Sequence, residues 1–573
     1  MLELKNVSYH VTKDGADVAL IDEITLQVPH GHFMAIVGPS GCGKTTLLKT
    51  IAGLNPESAG QLIWEGRDLS RDDDFSPLEI GYVPQFSIAY DPLTVDESIE
   101  AVTRLRVRTA SNQALDARID RVLAETGLDA IADRQVKVLS GGQKRRLGLA
   151  MELVSNPKIL LCDEVTSGLD PRSERDVVNL LHDLSRKNGR LVLSVTHSLA
   201  HLERVDSVLV MHEGRIAYHG PPNQLCHYFS VNDSEEIYPK LATQEASAWH
   251  ASWLKHREHY QNKLERQRFA LLDSGELLEP AEADGARSLD LPGFFSQMMT
   301  LLGRRWKIFY RDRTQMLLQL AIIIAFPLLV TLFSEKASGN IRRFSDTRQT
   351  NLMAEIQEQQ SVRGDQAKVG SAVSGIIMFQ IILLSLMGSN NSAREIAGER
   401  SIFEKEKFGG LRPTAYLASK FVFLGILVVI QSLWMAFFVD AFGAFRGDFM
   451  THAIFLFMAN AAMTSICLGI SALMRTAEQA SLLSIYLVGF QLPLSGAVLA
   501  LPEVIEPYTQ PFISAYWAWS GSVNALQQQV HHAVKSVVDT NMAASDTGMW
   551  ILAIHLSVGL LAGWLGTRRP HWD

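Results

Sequence analysis

The residues best suited to chemistry form a glycine-rich stretch near the start of the chain, Gly38-Pro39-Ser40-Gly41-Cys42-Gly43-Lys44-Thr45, followed by Thr46. Their spacing fits the pattern GxxxxGK[ST], in which the glycines let backbone N–H groups turn toward phosphates. We expect Lys44 to reach the β- and γ-phosphates of a nucleotide and Thr45 to ligate Mg²⁺. The alternative is a glycine-rich turn that binds nothing.

The elements around this stretch are those that the motif requires. An apolar run, 33–37, predicts a strand before the loop, and the spacing of 46–52 predicts a helix after it. The N-terminus of a helix adds partial positive charge beside a bound phosphate. The strand–loop–helix context therefore favours a nucleotide site over a ligand-free turn.

A second loop of the same chemical kind lies further along the chain. Leu139-Ser140-Gly141-Gly142-Gln143 places a serine and two glycines where a helix is predicted to begin. A helix N-terminus with small residues is again suited to binding phosphate.

Two carboxylates, Asp163 and Glu164, end an apolar run that predicts a strand. We expect Asp163 to hold Mg²⁺, and Glu164 to orient and polarise the water that attacks the nucleotide. The alternative for a strand-end Asp-Glu pair is the start of a solvated loop.

Four further residues are uninformative singly. His197 ends another buried-type strand and is placed to contact a γ-phosphate, although a lone histidine can equally be structural. Tyr9 lies upstream of the first loop, where an aromatic ring can stack on adenine or simply end a strand. Gln85 follows a strand end, and Asp170 closes the tight turn that starts at Ser167.

The second half of the chain predicts a membrane domain. Six apolar segments are each long enough to cross a bilayer, which takes about 20 residues; they are 314–334, 369–393, 416–440, 449–474, 479–502 and 547–567. A soluble domain could not plausibly pack six such segments in one half of a chain. A seventh uncharged stretch, 507–534, contains prolines, glutamines and two histidines and is interpreted as external or re-entrant.

Composition excludes several classes of protein. The 573 residues carry a net charge of −8 with no basic tail, which argues against a nucleic-acid partner. Four cysteines are scattered without a CxxC pair, as expected in a reducing cytoplasm. The first residues, Met1–Lys5, do not predict a secretory signal peptide.

These observations predict an α/β P-loop NTPase followed by an all-α domain of six transmembrane helices. We place the nucleotide-binding domain at 1–230 and a connector at 231–292. An amphipathic helix at 293–312 then lies on the inner membrane surface, and the transmembrane domain occupies 313–573.

The order and spacing of the motifs resemble the ATP-binding cassette family over residues 1–225. Ser140–Gln143 matches the signature motif of that family. The resemblance implies ATP and Mg²⁺ as ligands. It assigns Tyr9 to adenine stacking and Gln85 to the loop that contacts Mg²⁺ and the attacking water. It also assigns Asp170 to the loop that the family calls the D-loop, and His197 to the switch histidine. One departure is visible, because Val165 stands where the family usually has proline.

One cassette followed by one membrane domain resembles the G subfamily of these transporters. The resemblance is to a bacterial representative, located in an inner membrane. Arg311-Asp312, the loop Glu399–Glu406 and Ser495-Gly496 carry this second resemblance. It implies a coupling helix in Glu399–Glu406 that touches the cassette. It also implies ATP sites shared between two chains; a homodimer is expected, and a heterodimer stays open.

The cassette must face the cytoplasm to reach ATP, and six spans return the C-terminus there. Basic residues mostly follow the positive-inside rule. The first external loop, 335–368, disagrees, because it carries six Lys and Arg against five acids.

The sequence thus predicts an ATP-driven exporter. The spans hold few ionisable groups, which favours a lipid or a hydrophobic or amphipathic compound as cargo without specifying it. We name Met387, Phe490 and Leu494 as candidate pathway residues; the alternative for each is packing or contact with lipid. A membrane-bound ATPase with a sensing role is the alternative function, and an importer is disfavoured.

Overall fold

The computed structural model describes residues 1–13, 15–71, 75–85, 89–187, 189–274, 290–346, 355–443, 448–497, 501–502 and 504–569. They form two compact units. The first comprises Met1–Ser296 together with Lys405–Leu411, and the second comprises Gln297–Glu404 together with the described chain from Arg412 onward. The first unit is α/β and the second is helical, in agreement with the predicted fold class.

The first unit contains a six-stranded sheet with the order β10-β9-β3-β8-β7-β6. The strands are β3 (Phe33–Val37), β6 (Ile80–Val83), β7 (Ile159–Asp163), β8 (Leu191–Val195), β9 (Ser207–His212) and β10 (Arg215–Gly220). All neighbours are parallel except β9 and β10.

The central strands of this sheet are buried along their whole length. Every residue of β3, β7 and β8 is buried, which explains why they are near-continuous apolar runs without alternation. Parallel pairing in register brings the ends of these strands to one edge, with Ile36 opposite Val195 and Val195 opposite Asp163. The loops that follow the strands therefore meet.

A second sheet, with the order β2-β1-β4-β5, is antiparallel. Its strands are β1 (Leu2–Lys13), β2 (Ala16–Val28), β4 (Ala59–Trp64) and β5 (Arg67–Asp68). The helices of the first unit are α1 (Lys44–Ile51), α2 (Val95–Arg106), α3 (Asn112–Thr126), α4 (Gly141–Leu153), α5 (Pro171–Lys187), α6 (Leu225–Phe229), α7 (Ile237–Leu241) and α8 (Ala246–Asp273).

The segment predicted as a connector includes α7 and α8, which belong to the core of the first unit. Trp249, Trp253 and Tyr260 of α8 are buried in that core, and the Trp249 indole N–H donates to the carbonyl of Leu241 at 3.1 Å. Residues 275–289 of the predicted connector lie outside the described residues.

The second unit is built from helices. They are α9 (Phe294–Arg311), α10 (Arg313–Asp346), α11 (Glu355–Ser392), α12 (Arg400–Phe408, whose last turn falls in the first unit), α13 (Pro413–Gly443), α14 (Phe449–Leu473), α15 (Ala477–Gln491), α16 (Glu506–Thr509), α17 (Ser514–Asn524), α18 (Gln528–Lys535) and α19 (Ser545–Arg568).

Among the described residues, 5 helical segments are long and apolar enough to cross a membrane: Arg313–Ser334, Gln366–Phe408, Pro413–Phe442, Phe449–Leu473 and Ser545–Arg568. They correspond to five of the six predicted spans. The remaining predicted span, 479–502, coincides with the 15-residue helix α15 and a 3₁₀ turn after it, and 498–500 lie outside the described residues. The stretch 507–534 forms short helices instead of a span.

Glycines allow α14 and α19 to approach closely. A Cβ atom at Gly559 would lie 2.4 Å from the backbone carbon of Ser465, and one at Gly566 would lie 2.6 Å from the backbone carbon of Ala472. The Ser465 hydroxyl also donates to the carbonyl of Leu556 at 2.7 Å. Small residues that bring backbones together are a common means of packing membrane helices.

A buried network of side-chain amides joins four helices of the second unit. Gln319 of α10 donates to Asn391 of α11 at 2.5 Å, and Asn391 donates to Gln431 of α13 at 3.2 Å. Asn460 of α14 donates to the same Gln431 oxygen at 3.3 Å. Each amide thus finds a partner inside the bundle, where no water would otherwise satisfy it.

Charged groups fix the ends of these helices. Arg305 of α9 donates to both oxygens of Glu395 at 2.6 and 2.9 Å, and Lys420 of α13 donates to the same carboxylate at 3.0 Å. Arg400 donates to three carbonyls at the C-terminal end of α14. A guanidinium at this position satisfies carbonyls that have no partner within the helix.

The contact between α14 and α19 leads to a test of stability. We expect Gly559→Ala to destabilise the protein by about 1–3 kcal/mol, because the added methyl group overlaps the backbone of α14. Gly425→Ala is the matched control, since a Cβ atom at Gly425 meets nothing within 4 Å. Thermal unfolding in detergent measures both variants. Equal melting temperatures would contradict the packing described.

Candidate nucleotide site

The glycine-rich loop connects β3 to α1 as predicted from sequence. The Lys44 ammonium donates to the carbonyls of Gly38 and Pro39, each at 2.9 Å, and is buried beneath the loop. Cys42 is also buried, whereas Ser40 and Gly41 are exposed and Thr46 is half-buried. Lys44 is thus held inside the curve of the loop, where a phosphate oxygen would replace the carbonyls as its partner.

Two of the loop glycines are required by close backbone contacts. Gly38 has φ 154° and Gly43 has φ 99°. A Cβ atom at Gly38 would lie 2.3 Å from the carbonyl oxygen of Met211, and one at Gly43 would lie 2.4 Å from that of Leu20. Any other residue would be strained at both places and would also collide with the neighbouring backbone.

Asp163 and Thr45 come together as a pair of oxygen donors. The Thr45 hydroxyl donates to one oxygen of Asp163 at 2.9 Å, and the Tyr82 hydroxyl donates to the other at 3.3 Å. Burial raises the pKa of Asp163, and the neighbouring Glu164 charge adds to this effect. A hydroxyl beside a carboxylate is a donor set that suits Mg²⁺, which binds oxygen ligands.

Glu164 turns sharply away from the strand that Asp163 ends. Its φ of 48° lies in the left-handed region, which is uncommon for a residue with a side chain. In this conformation one oxygen of its carboxylate accepts from the Gln85 amide at 2.8 Å, and the other contacts the His197 imidazole. The structure therefore gathers the three predicted catalytic residues, Gln85, Glu164 and His197, around one carboxylate.

Gln85 presents its amide nitrogen to Glu164, so its oxygen remains the atom that can serve a metal ion, as predicted. The residues directly after it, 86–88, lie outside the described residues. Val165, where the sequence departs from the family pattern, is buried.

The signature residues begin α4. The Ser140 hydroxyl accepts from the backbone N–H of Gln143 at 3.3 Å, and the Gln143 side chain accepts from the backbone N–H of Ser140 at 3.0 Å. This reciprocal capping box fixes the first turn of the helix. Ser140 and Gly141 are exposed and Gly142 is half-buried, so the positive end of the helix faces outward.

Two other predicted residues have clear positions. Asp170 accepts from the backbone N–H groups of Arg172 and Ser173, both at 3.1 Å, at the start of α5. A hydrogen bond from the Ser173 side chain contributes most to lowering the pKa of Asp170, and these backbone hydrogen bonds add to it. Tyr9 lies within β1, opposite Ile21, and is half-buried against the core of the first unit.

Two tyrosines at the site were not predicted from sequence. Tyr82 bonds to Asp163, as described above, and burial raises its pKa. Tyr238 of α7 donates to the backbone carbonyl of His197 at 3.2 Å. No local pattern marks either residue, because Tyr82 sits in an ordinary buried strand and Tyr238 is 41 positions away from His197 in the chain.

The segment Lys405–Leu411 packs within the same unit as these residues. Lys405 contacts the buried carboxylate of Glu152 at 3.2 Å, and Arg106 donates to both oxygens of that carboxylate at 2.6 and 3.1 Å. Phe408 packs edge-on against Tyr82, with 6.2 Å between ring centroids. A Cβ atom at Gly409 would lie 2.3 Å from the Arg106 guanidinium, so a larger residue there would displace that guanidinium.

The charges in this contact keep Glu152 ionised. Burial alone would raise the pKa of Glu152, but Arg106 and Lys405 outweigh it and lower that pKa. A carboxyl group with a lowered pKa stabilises the fold at pH values above its unfolded pKa, and the contribution disappears as the pH falls through the folded value. The triad is therefore a stabilising feature at neutral pH.

The candidate pathway residues occupy different environments in the second unit. Met387 is 2% exposed and belongs to its core, whereas Phe490 is 59% exposed. Leu494 is partly buried against the same core. Burial alone does not test a pathway, and the three residues stay predictions.

Two family models match the chain, in agreement with its two units. "ABC transporter" matches residues 21–167 and "ABC-2 type transporter" matches residues 296–519. Of the solved structures, "Dimeric Structure of MJ0796, a Bacterial ABC Transporter Cassette" is similar with 27% identity and a TM-score of 0.36, and covers 39% of this chain and 99% of its own.

Among curated proteins, "ABC transporter ATP-binding/permease protein Rv1747" of Mycobacterium tuberculosis is 29% identical over 91% of this chain, which spans 57% of its length. The "Methionine import ATP-binding protein MetN" of Geobacillus kaustophilus is 32% identical over 43% of this chain and 71% of its own. With the loop, carboxylate and signature geometry in place, the chain belongs to the ABC transporter family, with an ATP-binding cassette followed by an ABC-2 type membrane domain.

Proposed function

We propose that this protein is an ATP-driven exporter of lipids or of hydrophobic or amphipathic compounds, and that it works as a dimer. One observation carries the link between ATP and transport. Lys405–Leu411 packs within the ATP-binding unit, although the chain on both sides of it belongs to the membrane unit. A change in the cassette would thus reach the membrane helices through a segment that is continuous with them.

The site has the groups that ATP hydrolysis needs. Lys44 and the loop N–H groups would bind the phosphates, and Thr45 and Asp163 would hold Mg²⁺, which neutralises charge on the phosphates. Glu164 would orient the attacking water and accept its proton, while His197 and Gln85 hold that carboxylate in place. Positioning and charge stabilisation supply most of the catalysis in phosphoryl transfer.

The dimer is inferred from the signature residues. Ser140–Gln143 lies at the outward-facing N-terminus of α4, which is of the kind that binds phosphate. The glycine-rich loop of the same chain is already followed by the N-terminus of another helix, α1. In the proposed dimer each signature closes on the ATP held by the other chain. One chain has both halves of the site, which supports a homodimer; a partner of different sequence is the alternative.

The nature of the cargo is inferred from the chemistry of the spans. The buried polar network is made of neutral amides, and large apolar side chains cover the exposed faces of α10, α13 and α15. A path for ions or sugars would call for charged or densely polar linings. The matched MetN protein of Geobacillus kaustophilus is named as an import component, but the match covers only 43% of this chain.

The second candidate function is a membrane-bound ATPase that senses or regulates instead of transporting. The stretch predicted as the first external loop, 335–368, does not decide between the two functions. Residues 347–354 lie outside the described residues, and the rest of the stretch belongs to α10 and α11. Vectorial movement of a lipid or dye distinguishes the two functions, since a sensor would hydrolyse ATP without moving either.

The first test concerns nucleotide binding. Lys44→Ala removes the one ammonium that the glycine-rich loop encloses, so we expect TNP-ATP to bind roughly 10- to 150-fold more weakly, the equivalent of one charged hydrogen bond or two. Lys158→Ala is the control, because Lys158 pairs with Glu65 on the surface. Unchanged affinity in Lys44→Ala would contradict the site.

The second test separates transport from hydrolysis. We expect wild-type protein in liposomes to move an NBD-labelled phospholipid or rhodamine 6G when ATP is added. Glu164→Gln should retain ATP in a closed dimer, lower the hydrolysis rate by about 10²–10⁴-fold, the usual share of general base catalysis, and abolish transport. ATP turnover that moves neither probe would favour the sensing function. A Glu164→Gln protein that stays monomeric with ATP would contradict the shared site.

The third test concerns the docked segment. Lys405→Met leaves Arg106 on Glu152 but removes the ion pair between the segment and Glu152, so we expect a loss of about 1–3 kcal/mol in stability. TNP-ATP binding should be unchanged, and stimulation of ATPase activity by cargo should be lost. Lys137→Met, on the surface of the same unit, is the control. Full stimulation in Lys405→Met would contradict the coupling role of the segment.

A further inference from the structure

Tyr238 is the one residue of α7 that reaches the nucleotide site in the described structure. It lies beyond the region that matches the cassette model, which ends at residue 167. Its hydroxyl donates to the backbone carbonyl of His197 at 3.2 Å. The same hydroxyl oxygen lies against the backbone N–H of Gly38, the first glycine of the phosphate-binding loop.

The hydroxyl therefore joins two loops that follow different strands. Gly38 comes after β3, and His197 comes after β8, which is the neighbour of β3 in the sheet. Burial raises the pKa of Tyr238 to about 12, so the phenol keeps its proton and acts as a donor at physiological pH.

The helix that carries Tyr238 is firmly anchored. Ile237 and Leu241 on either side are fully buried, and Leu241 accepts the indole hydrogen bond of Trp249 at 3.1 Å. Trp249 belongs to the long helix α8, which packs on the core of the first unit. These contacts hold α7 in place and therefore restrict the position of the Tyr238 phenol.

We propose that Tyr238 is a positioning residue for the switch histidine: it holds the backbone of His197 beside Gly38, so that the imidazole stays on the Glu164 carboxylate. The side chain of His197 is 42% exposed, and packing alone does not hold it. The backbone N–H of Thr196 already donates to the carbonyl of Ile36 at 3.0 Å, and the Tyr238 hydroxyl adds a second constraint, at His197 itself. This role rests on the proposed hydrolysis of ATP at Glu164 and is independent of cargo and of the direction of transport.

Tyr238→Phe tests the role because it removes the hydroxyl and keeps the ring. In detergent-purified full-length protein we expect kcat for ATP to fall about three- to tenfold, the effect of one hydrogen bond. The dissociation constant of TNP-ATP should change less than twofold. Tyr228→Phe is the matched control, since it removes a hydroxyl that donates to Ser252 in the same part of the unit.

A second background separates positioning from folding. In His197→Ala the imidazole is absent, so Tyr238→Phe should cause no further loss of the single-turnover rate. An equal loss in both backgrounds, a weakening of TNP-ATP binding in proportion to the rate, or an unchanged kcat would overturn the role. A loss of rate in Tyr228→Phe as large as that in Tyr238→Phe would also overturn it. A wild-type protein without ATPase activity would instead refute the proposed function, and this role with it.

Discussion

The nucleotide site depends on the parallel pairing of β3, β8, β7 and β6. This pairing puts the C-terminal ends of the four strands at one edge of the sheet, where the glycine-rich loop, His197, the two carboxylates and Gln85 lie. Because each strand is short and buried, a shift of one residue in the pairing register of a strand would carry a predicted catalytic group into the core. The apolar core is thus what sets the geometry of the chemistry.

At this edge of the sheet, the carboxylates of Asp163 and Glu164 are held by different means. Asp163 ends the strand in regular geometry and is bonded by Thr45 and Tyr82, while Glu164 adopts φ 48° and is held by Gln85 and His197. A left-handed residue costs free energy that its surroundings must offset. The contacts of Gln85 and His197 with its two carboxylate oxygens help to offset that cost.

The second unit is held together by close packing and neutral hydrogen bonds. Glycines of α19 meet the backbone of α14, and the Gln319, Asn391, Gln431 and Asn460 amides satisfy each other. Charge is concentrated at helix ends, on Glu395 and Arg400, and in the Arg106–Glu152–Lys405 triad of the first unit. Burying a charge is costly without a partner, and each of these has one.

The class of each half could be read from the sequence alone, and the sequence predicts which groups would bind ATP, because strand, loop and helix signals and apolar length are local properties. Lys44, Thr45, Asp163, Glu164 and His197 were all named from sequence, and the structure places them together. Tyr82, Tyr238 and the Glu152 triad were not, since their partners lie far away in the chain. The membrane amide network and the short α15 also depended on packing between helices. Contacts between distant segments are decided by how the elements pack, and a single sequence carries no local signal for them.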